Sequence, residues 1–206
     1  MRRTAMIENK AELRQAVDRV SSDLQAISDY LRVRPDLQDS ASIRFPRGFL
    51  RTAVDHRSRL DFVEDKRLRA NISYALMTHD LLRWMLFRTD ISGQAASMLI
   101  KEGICTVAAI SEAISIFPEA HGLGRRTSFN QRMTRLCEMR VLTETQRAEL
   151  EWLWQVRSDE HIYDLVHYEY VAYGKRDWLR SVLAYHGLRD GLQIWVAAGK
   201  PKAGLP

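Results

Sequence analysis

The chain has 206 residues, of which 46% are hydrophobic and 28% are charged. This length suffices for one full-sized hydrophobic core, and this composition excludes a chain that is disordered throughout. The net charge of +5 is spread along the chain, which permits contact with nucleic acid without establishing it. Apolar runs stay shorter than a membrane span, and no apolar segment follows the N-terminus as in a secretion signal. We therefore expect a cytoplasmic protein that does not enter the membrane.

The two cysteines, Cys105 and Cys137, lie in apolar segments and have no Cys-x-x-Cys spacing. This pattern is typical of small buried side chains in a reducing compartment and not of a zinc site. We expect no metal and no cofactor.

The first predicted element is a helix from Asn9 to about Val33. Asn9 and Glu12 have the spacing of a helix N-cap, and apolar residues then recur every three or four positions. A helical arm over residues 1–34 is thus followed by a Pro-containing linker over residues 35–57. The apolar stripe of the arm must pack on its own domain, on a second protomer or on another protein, of which domain closure is the simplest expectation.

The rest of the chain predicts further helices and no strands, because sustained two-residue alternation and hairpin turns are missing from the sequence. Two pairs with capping-box spacing, Ser128 with Gln131 and Thr143 with Gln146, mark two of the helix starts. The predicted helices cover residues 58–88, 94–117, 128–139, 143–172 and 177 to 187 or 196. The sequence therefore predicts an all-α bundle over residues 58–198 and a tail over 199–206.

The segment from Leu153 to Ile162 carries the residues with the strongest chemical potential. On a helix, Arg157 and His161 are four residues apart and share a face. Arginine holds a phosphate with a planar fork of donors, and histidine exchanges a proton near neutral pH. Such a pair supplies two needs of RNA phosphodiester cleavage without a metal. The alternative is an ordinary surface pair that interacts with the neighbouring acids.

Three segments within residues 59–192 resemble the HEPN superfamily of small helical proteins. The run from Ser97 to Ile114 resembles the family's second helix, which carries an acidic position. The run from Thr127 to Leu142 resembles its short third helix and turn, and Leu153–His161 resembles its signature helix start, where an Arg precedes a His. The resemblance implies a HEPN-like antiparallel bundle.

The resemblance also implies a function and a set of site residues. Many members cut RNA without metal as homodimers, in toxin–antitoxin or antiviral systems, with the Arg and His of two protomers facing each other. Here His161 is the expected acid and base, Arg157 the phosphate clamp, and Glu112 a group that orients one of them. A homodimer, RNA and a partner protein such as an antitoxin are the expected partners. The residues expected to contact RNA are Ser158, His167 and Tyr168.

The motif departs from the family pattern at two points. Ser158 stands where Asn is common, and only three residues separate Arg157 from His161, which is closer than in active members. A non-catalytic helical module that holds RNA or a partner protein is therefore the alternative. A helical transcriptional regulator is disfavoured because no compact helix–turn–helix with a basic recognition helix is evident.

Two other histidines receive a weaker interpretation. Arg51 and His56, with four residues between them, form a second Arg–His pair, but they lie in the predicted linker without the flanking pattern. His79, next to Asp80, lies among apolar residues and is expected to be a buried histidine whose hydrogen bonds are satisfied.

Overall fold

The described part of the chain contains helices and no strand, which confirms the predicted all-α class. The structure is a computed structural model that describes residues 6–34, 36–37, 42, 48–116, 123, 126–158 and 173–199. These residues contain seven α-helices and no strand. The helices are α1 (Lys10–Val33), α2 (Ala53–Ser58), α3 (Lys66–Arg88), α4 (Gly93–Ser115), α5 (Phe129–Glu138), α6 (Glu144–Ser158) and α7 (Lys175–Ala197). None of these described helices is long and apolar enough to cross a membrane.

The chain divides into two units, Met1–Pro46 and Arg47–Pro206. In the first unit, α1 begins where the sequence predicts. The Asn9 side chain accepts hydrogen bonds from the backbone N–H groups of Ala11 and Glu12, each at 3.0 Å, and so satisfies two of the donors that a helix start leaves open.

The second unit is organised around α4, which packs against α3, α5, α6 and α7. Apolar residues of α4 such as Ile104 and Ile114 are fully buried at its contacts. α7 approaches α4 closely at Gly103, where a Cβ atom would lie 1.8 Å from the indole ring of Trp178. The glycine therefore makes room for a buried tryptophan in the core of the bundle.

The capping pairs seen in the sequence begin α5 and α6 as predicted. Ser128 and Gln131 exchange hydrogen bonds at 2.8 and 3.2 Å, and Thr143 and Gln146 do so at 2.9 and 3.2 Å. α5 then ends in a Schellman arrangement in which Arg140 has a φ of 58°. A residue with a side chain thus occupies the left-handed position that glycine usually takes.

Two boundaries differ from the prediction. α3 begins at Lys66 and not near Ser58, because residues 59–65 form turns that bury Phe62 and Val63, and Asp65 caps the helix. Within the predicted linker, Thr52 and Asp55 form a capping box that starts α2, so the second unit begins before the predicted domain. The predicted extension of the sixth helix to Ala172 and the tail 200–206 lie outside the described residues.

Candidate functional site

The structure brings together two of the three predicted catalytic residues, Arg157 and Glu112. Arg157 lies on the last turn of α6, and its guanidinium donates to the carboxylate of Glu112 on the neighbouring helix α4. The two residues are 45 positions apart in sequence and meet because α4 and α6 pack side by side. About a third of each side chain is exposed, at 33% and 29%, so solvent and ligands reach the pair.

A second arginine, Arg132 on α5, lies behind this pair and is only 3% exposed. Its Nε donates to the Ser115 hydroxyl at 2.9 Å, its Nη1 donates to the carbonyl of Thr127, and its Nη2 lies 4.0 Å from Glu112. Burial lowers the pKa of Arg132, while the Glu112 charge opposes that change. With Glu112 ionised, the three side chains carry a net charge of +1, so one positive charge remains for an anion.

Two aromatic rings flank the arginines. The Arg157 guanidinium lies over the Trp154 ring at 5.1 Å, and Trp154 stacks on Phe129 at 5.0 Å. Arg132 in turn lies 5.9 Å from the Phe129 ring. Because arginine on an aromatic face is held by both cation–π attraction and packing, the guanidinium planes are fixed in orientation. We call Glu112, Arg132 and Arg157 the arginine cluster.

The other predicted site residues are placed only in part. Ser158 is exposed, and its hydroxyl donates to the Trp154 carbonyl at 3.1 Å, which leaves it one turn from the aromatic stack. His161, His167 and Tyr168 fall within residues 159–172, outside the described residues.

The Arg–His pair that ranks second by sequence forms a buried polar cluster of its own. His56 on α2 places its Nε2 3.0 Å from the Asp80 carboxylate, and Arg51 donates to the same carboxylate through two nitrogens at 2.9 and 2.5 Å. His56 and Asp80 are only 2% and 5% exposed. Although burial alone raises the pKa of Asp80, the hydrogen bonds from His56 and Arg51 outweigh it and hold that pKa far below its ordinary value. We call Arg51, His56 and Asp80 the Asp80 cluster.

The Asp80 cluster lies on the wall of a cavity of about 890 Å³, which is formed by the segment around Phe49 and Arg51 together with α2, α3, α4 and α7. His79 also lines this cavity and stacks on Trp178 at 4.6 Å. As predicted it is buried, but its Nε2 has no hydrogen-bond partner among the described residues. Burial lowers the pKa of His79 to about 4, with a smaller contribution from Arg51 and Arg83, although the Asp80 charge opposes the change.

Sequence reasoning missed two of these features. Arg132 resembles any cation on an amphipathic helix, and only the fold shows that it is buried. The link between Arg51, His56 and Asp80 spans 24 to 29 residues, so no local pattern points to it. Two features of the sequence could have indicated the Asp80 cluster. They are the Arg51–His56 pair, with four residues between its members, and the capping box of Thr52 and Asp55 that lies within it.

Within the described ranges, no group of His, Cys, Asp and Glu side chains is arranged to hold a metal ion. Of the cysteines that fall in those ranges, Cys105 and Cys137, neither forms a disulfide bond. In comparisons with protein-family models, curated proteins and solved structures, nothing matches this chain.

Proposed function

We propose that this chain is a metal-independent endoribonuclease that acts as a homodimer in a prokaryotic defence or toxin–antitoxin role. The observation that supports it is the arginine cluster, in which Glu112 of α4 orients the Arg157 guanidinium and a buried Arg132 adds a second positive charge. The sequence resemblance across residues 59–192 supplies the expected partner of Arg157, which is His161.

The proposed reaction is an internal transesterification of RNA. The 2′-oxygen attacks the adjacent phosphorus, a P–O2′ bond forms and the P–O5′ bond breaks. His161 of one protomer accepts the 2′-hydroxyl proton, and a protonated His161 across the dimer axis gives a proton to the leaving 5′-oxygen. The products are a 2′,3′-cyclic phosphate and a 5′-hydroxyl, so no electron or outside reactant is needed.

In this proposal each residue of the arginine cluster has a separate role. Arg157 binds the non-bridging phosphate oxygens, whose negative charge grows in the transition state. Glu112 is a positioning residue that fixes the Arg157 fork, and Arg132 keeps the cluster positive overall. The expected RNA contacts are Ser158, His167 and Tyr168, whose ring would stack on an unpaired base.

Incubation of the full chain with RNA and a chelator tests the chemistry directly. His161→Ala is expected to abolish cleavage without loss of helicity, and Arg157→Ala to lower the rate by roughly a hundredfold or more. Arg147→Ala is the matched control, because Arg147 lies on the same helix, is 32% exposed and pairs with Glu144 at 2.9 Å. Cleavage that survives His161→Ala, or product ends without a cyclic phosphate, would remove the mechanism.

The positioning role of Glu112 requires a readout that a purely structural role would not change. Glu112→Gln is expected to lower kcat with little change in KM, and Glu112→Asp to restore part of kcat. Thermal unfolding of the same variants separates this outcome from a loss of fold.

A second candidate is a non-catalytic module that holds RNA. It is favoured by the engagement of Arg157 with Glu112, because a guanidinium that is already paired with a carboxylate binds a phosphate more weakly than a free one. In that case labelled RNA binds intact in the presence of chelator, and Arg157→Ala weakens binding more than Arg147→Ala does. Accumulation of cleaved product in the same reaction distinguishes the enzyme from the module.

A further inference from the structure

The cavity beside the Asp80 cluster has an unusual excess of positive charge. We call it the cationic cavity. Its lining includes six permanently charged side chains, which are Arg51, Arg59, Arg83, Arg88, Lys175 and Arg189. The single carboxylate in that lining belongs to Asp80, and it is already bound by Arg51 and His56. The cavity therefore carries a net charge of about +5 with its histidines neutral, which concentrates anions inside it.

Several of these cations are available to a ligand. Arg59, Arg83 and Arg88 are exposed side chains, and none of them forms an ion pair with another residue of the described ranges. Arg189 pairs with Asp190, and Lys175 lies over the Phe87 ring at 5.4 Å. Three guanidiniums without an ion pair thus line one cavity, and arginine binds phosphate groups through its forked donors.

The walls between the cations are aromatic. Phe49 and Trp84 meet edge to face at 6.1 Å, and Phe87 meets Trp178 in the same way at 6.3 Å. A volume of about 890 Å³ falls in the range of small-molecule and cofactor sites, and it greatly exceeds what an inorganic anion fills. Aromatic walls of this kind bind planar rings such as nucleobases by stacking.

An independent observation comes from His79. This side chain is only 6% exposed, lines the cavity, and has an Nε2 atom without a hydrogen-bond partner among the described residues. Buried polar atoms are nearly always hydrogen-bonded, so the unpartnered Nε2 of a residue that lines the cavity is a group that a ligand atom can satisfy. The ring is held in place by its stack on Trp178, and Nε2 is therefore a fixed hydrogen-bonding group.

We propose that the cationic cavity binds a nucleoside phosphate, with the phosphate on Arg59, Arg83 and Arg88, the base against the aromatic walls, and His79 Nε2 hydrogen-bonded to the ligand. The ligand is either a free nucleotide or the phosphorylated end of a nucleic-acid strand, since both present the same chemistry.

This site is separate from the arginine cluster. Val107 of α4 lines the cavity, whereas Glu112 lies five residues further along the same helix, about 7.5 Å along the axis and on another face. The inference does not depend on RNA cleavage, because none of the residues of the arginine cluster lines the cavity.

Titration calorimetry on the full chain tests the proposal with six probes, which are ATP, AMP, adenosine, inorganic tripolyphosphate and a short oligonucleotide with and without a 5′-phosphate. We expect ATP or AMP to bind at least roughly tenfold more tightly than adenosine. Tripolyphosphate should bind more weakly than ATP by a similar factor, because it lacks the base. Binding of the phosphorylated oligonucleotide alone would identify a strand end as the source of the nucleotide.

Paired variants assign the binding to this cavity. Arg83→Ala with Arg88→Ala should weaken nucleotide binding by roughly a hundredfold, at about tenfold for each lost contact. Arg67→Ala is the matched control, because Arg67 is an exposed arginine of α3 that does not line the cavity. His79→Phe keeps a ring on Trp178 and removes Nε2, and it should weaken binding several-fold.

Three results would overturn the proposal. One is an absence of binding for every probe at about 1 mM in low salt, where charge attraction is strongest. Another is nucleotide affinity that is equal in the double variant and in Arg67→Ala. The third is tripolyphosphate binding as tight as that of ATP, which would leave a cation cluster without a base site.

Discussion

The buried imidazole of His79 predicts a specific loss of stability in mild acid. Its pKa is lowered from 6.5 to about 4, mainly because burial disfavours the charged ring. Between these two values the unfolded chain binds a proton at this site and the folded chain does not. The contribution of His79 is therefore complete above about pH 6.5 and is lost progressively as the pH falls toward 4.

The size of the effect follows from the two pKa values. At about 1.4 kcal/mol per pKa unit, the whole difference corresponds to about 3 kcal/mol. Between pH 7.5 and pH 5 the linkage relation gives a loss of about 2 kcal/mol in the free energy of unfolding. The carboxyl groups with lowered pKa values titrate below this range, so they add little to the change.

The contribution of His79 to the free energy of unfolding is measured by urea unfolding of the wild type and of His79→Phe. The measurements are made at pH 7.5, 6.5, 5.8 and 5.0, in buffers without phosphate. Phenylalanine retains the stack on Trp178 and has no titratable group. His186, whose pKa is also lowered by burial, is present in both proteins and cancels in the difference. We expect the wild type to lose about 2 kcal/mol relative to the variant over this range. Parallel pH profiles for the two proteins would show that His79 is not held neutral by burial, and would refute the reasoning.

Two further substitutions test the local structure. Arg140→Gly should raise the free energy of unfolding by about 1 kcal/mol in a urea titration, because a Cβ atom is sterically strained at a φ of 58° and glycine has none. An unchanged or lower stability would contradict the left-handed conformation of this residue. Asp80→Asn should destabilise the fold by about 2 kcal/mol, which is below the roughly 3–5 kcal/mol typical of a broken buried ion pair because its arginine partner is 38% exposed. Since the lowered pKa of Asp80 stabilises the wild type above about pH 4 and is lost in stronger acid, the variant should also show a flatter stability profile below pH 4; equal acid profiles would contradict the role of this carboxylate.

The helix starts that the sequence predicted correctly are those that depend on local contacts. Asn9, Ser128 and Thr143 each cap a helix through groups two or three residues away, so the signal is complete within a short window. The start of α3 was wrong for the opposite reason. Apolar residues such as Leu60 continue the helical spacing backwards from Lys66, but they are buried in a turn and not in a helix. Periodicity cannot separate these two cases.

The sequence predicted the two candidate sites to different extents. The family resemblance led us to expect that Glu112 orients either Arg157 or His161, and the structure shows a contact with Arg157. The cationic cavity was not expected, because its residues come from four helices and the segments that connect them. Arg51 and His56 were ranked low for lying in the predicted linker, and this reason fails because that stretch folds as α2 and buries His56.

The energetic cost of the two polar clusters argues that they are sites and not structural supports. A buried ion pair contributes little net stability, since the loss of hydration offsets most of the attraction, and an apolar pair of similar size often does as well. The bundle nevertheless buries Arg132 next to α4, and Asp80 with His56 between α3 and α2, at 5% exposure or less. Each cluster also borders cations that solvent reaches, which are Arg157 in one case and the cavity arginines in the other. Perturbed buried groups next to accessible charges are typical of ligand sites, so anions are expected to bind beside both clusters.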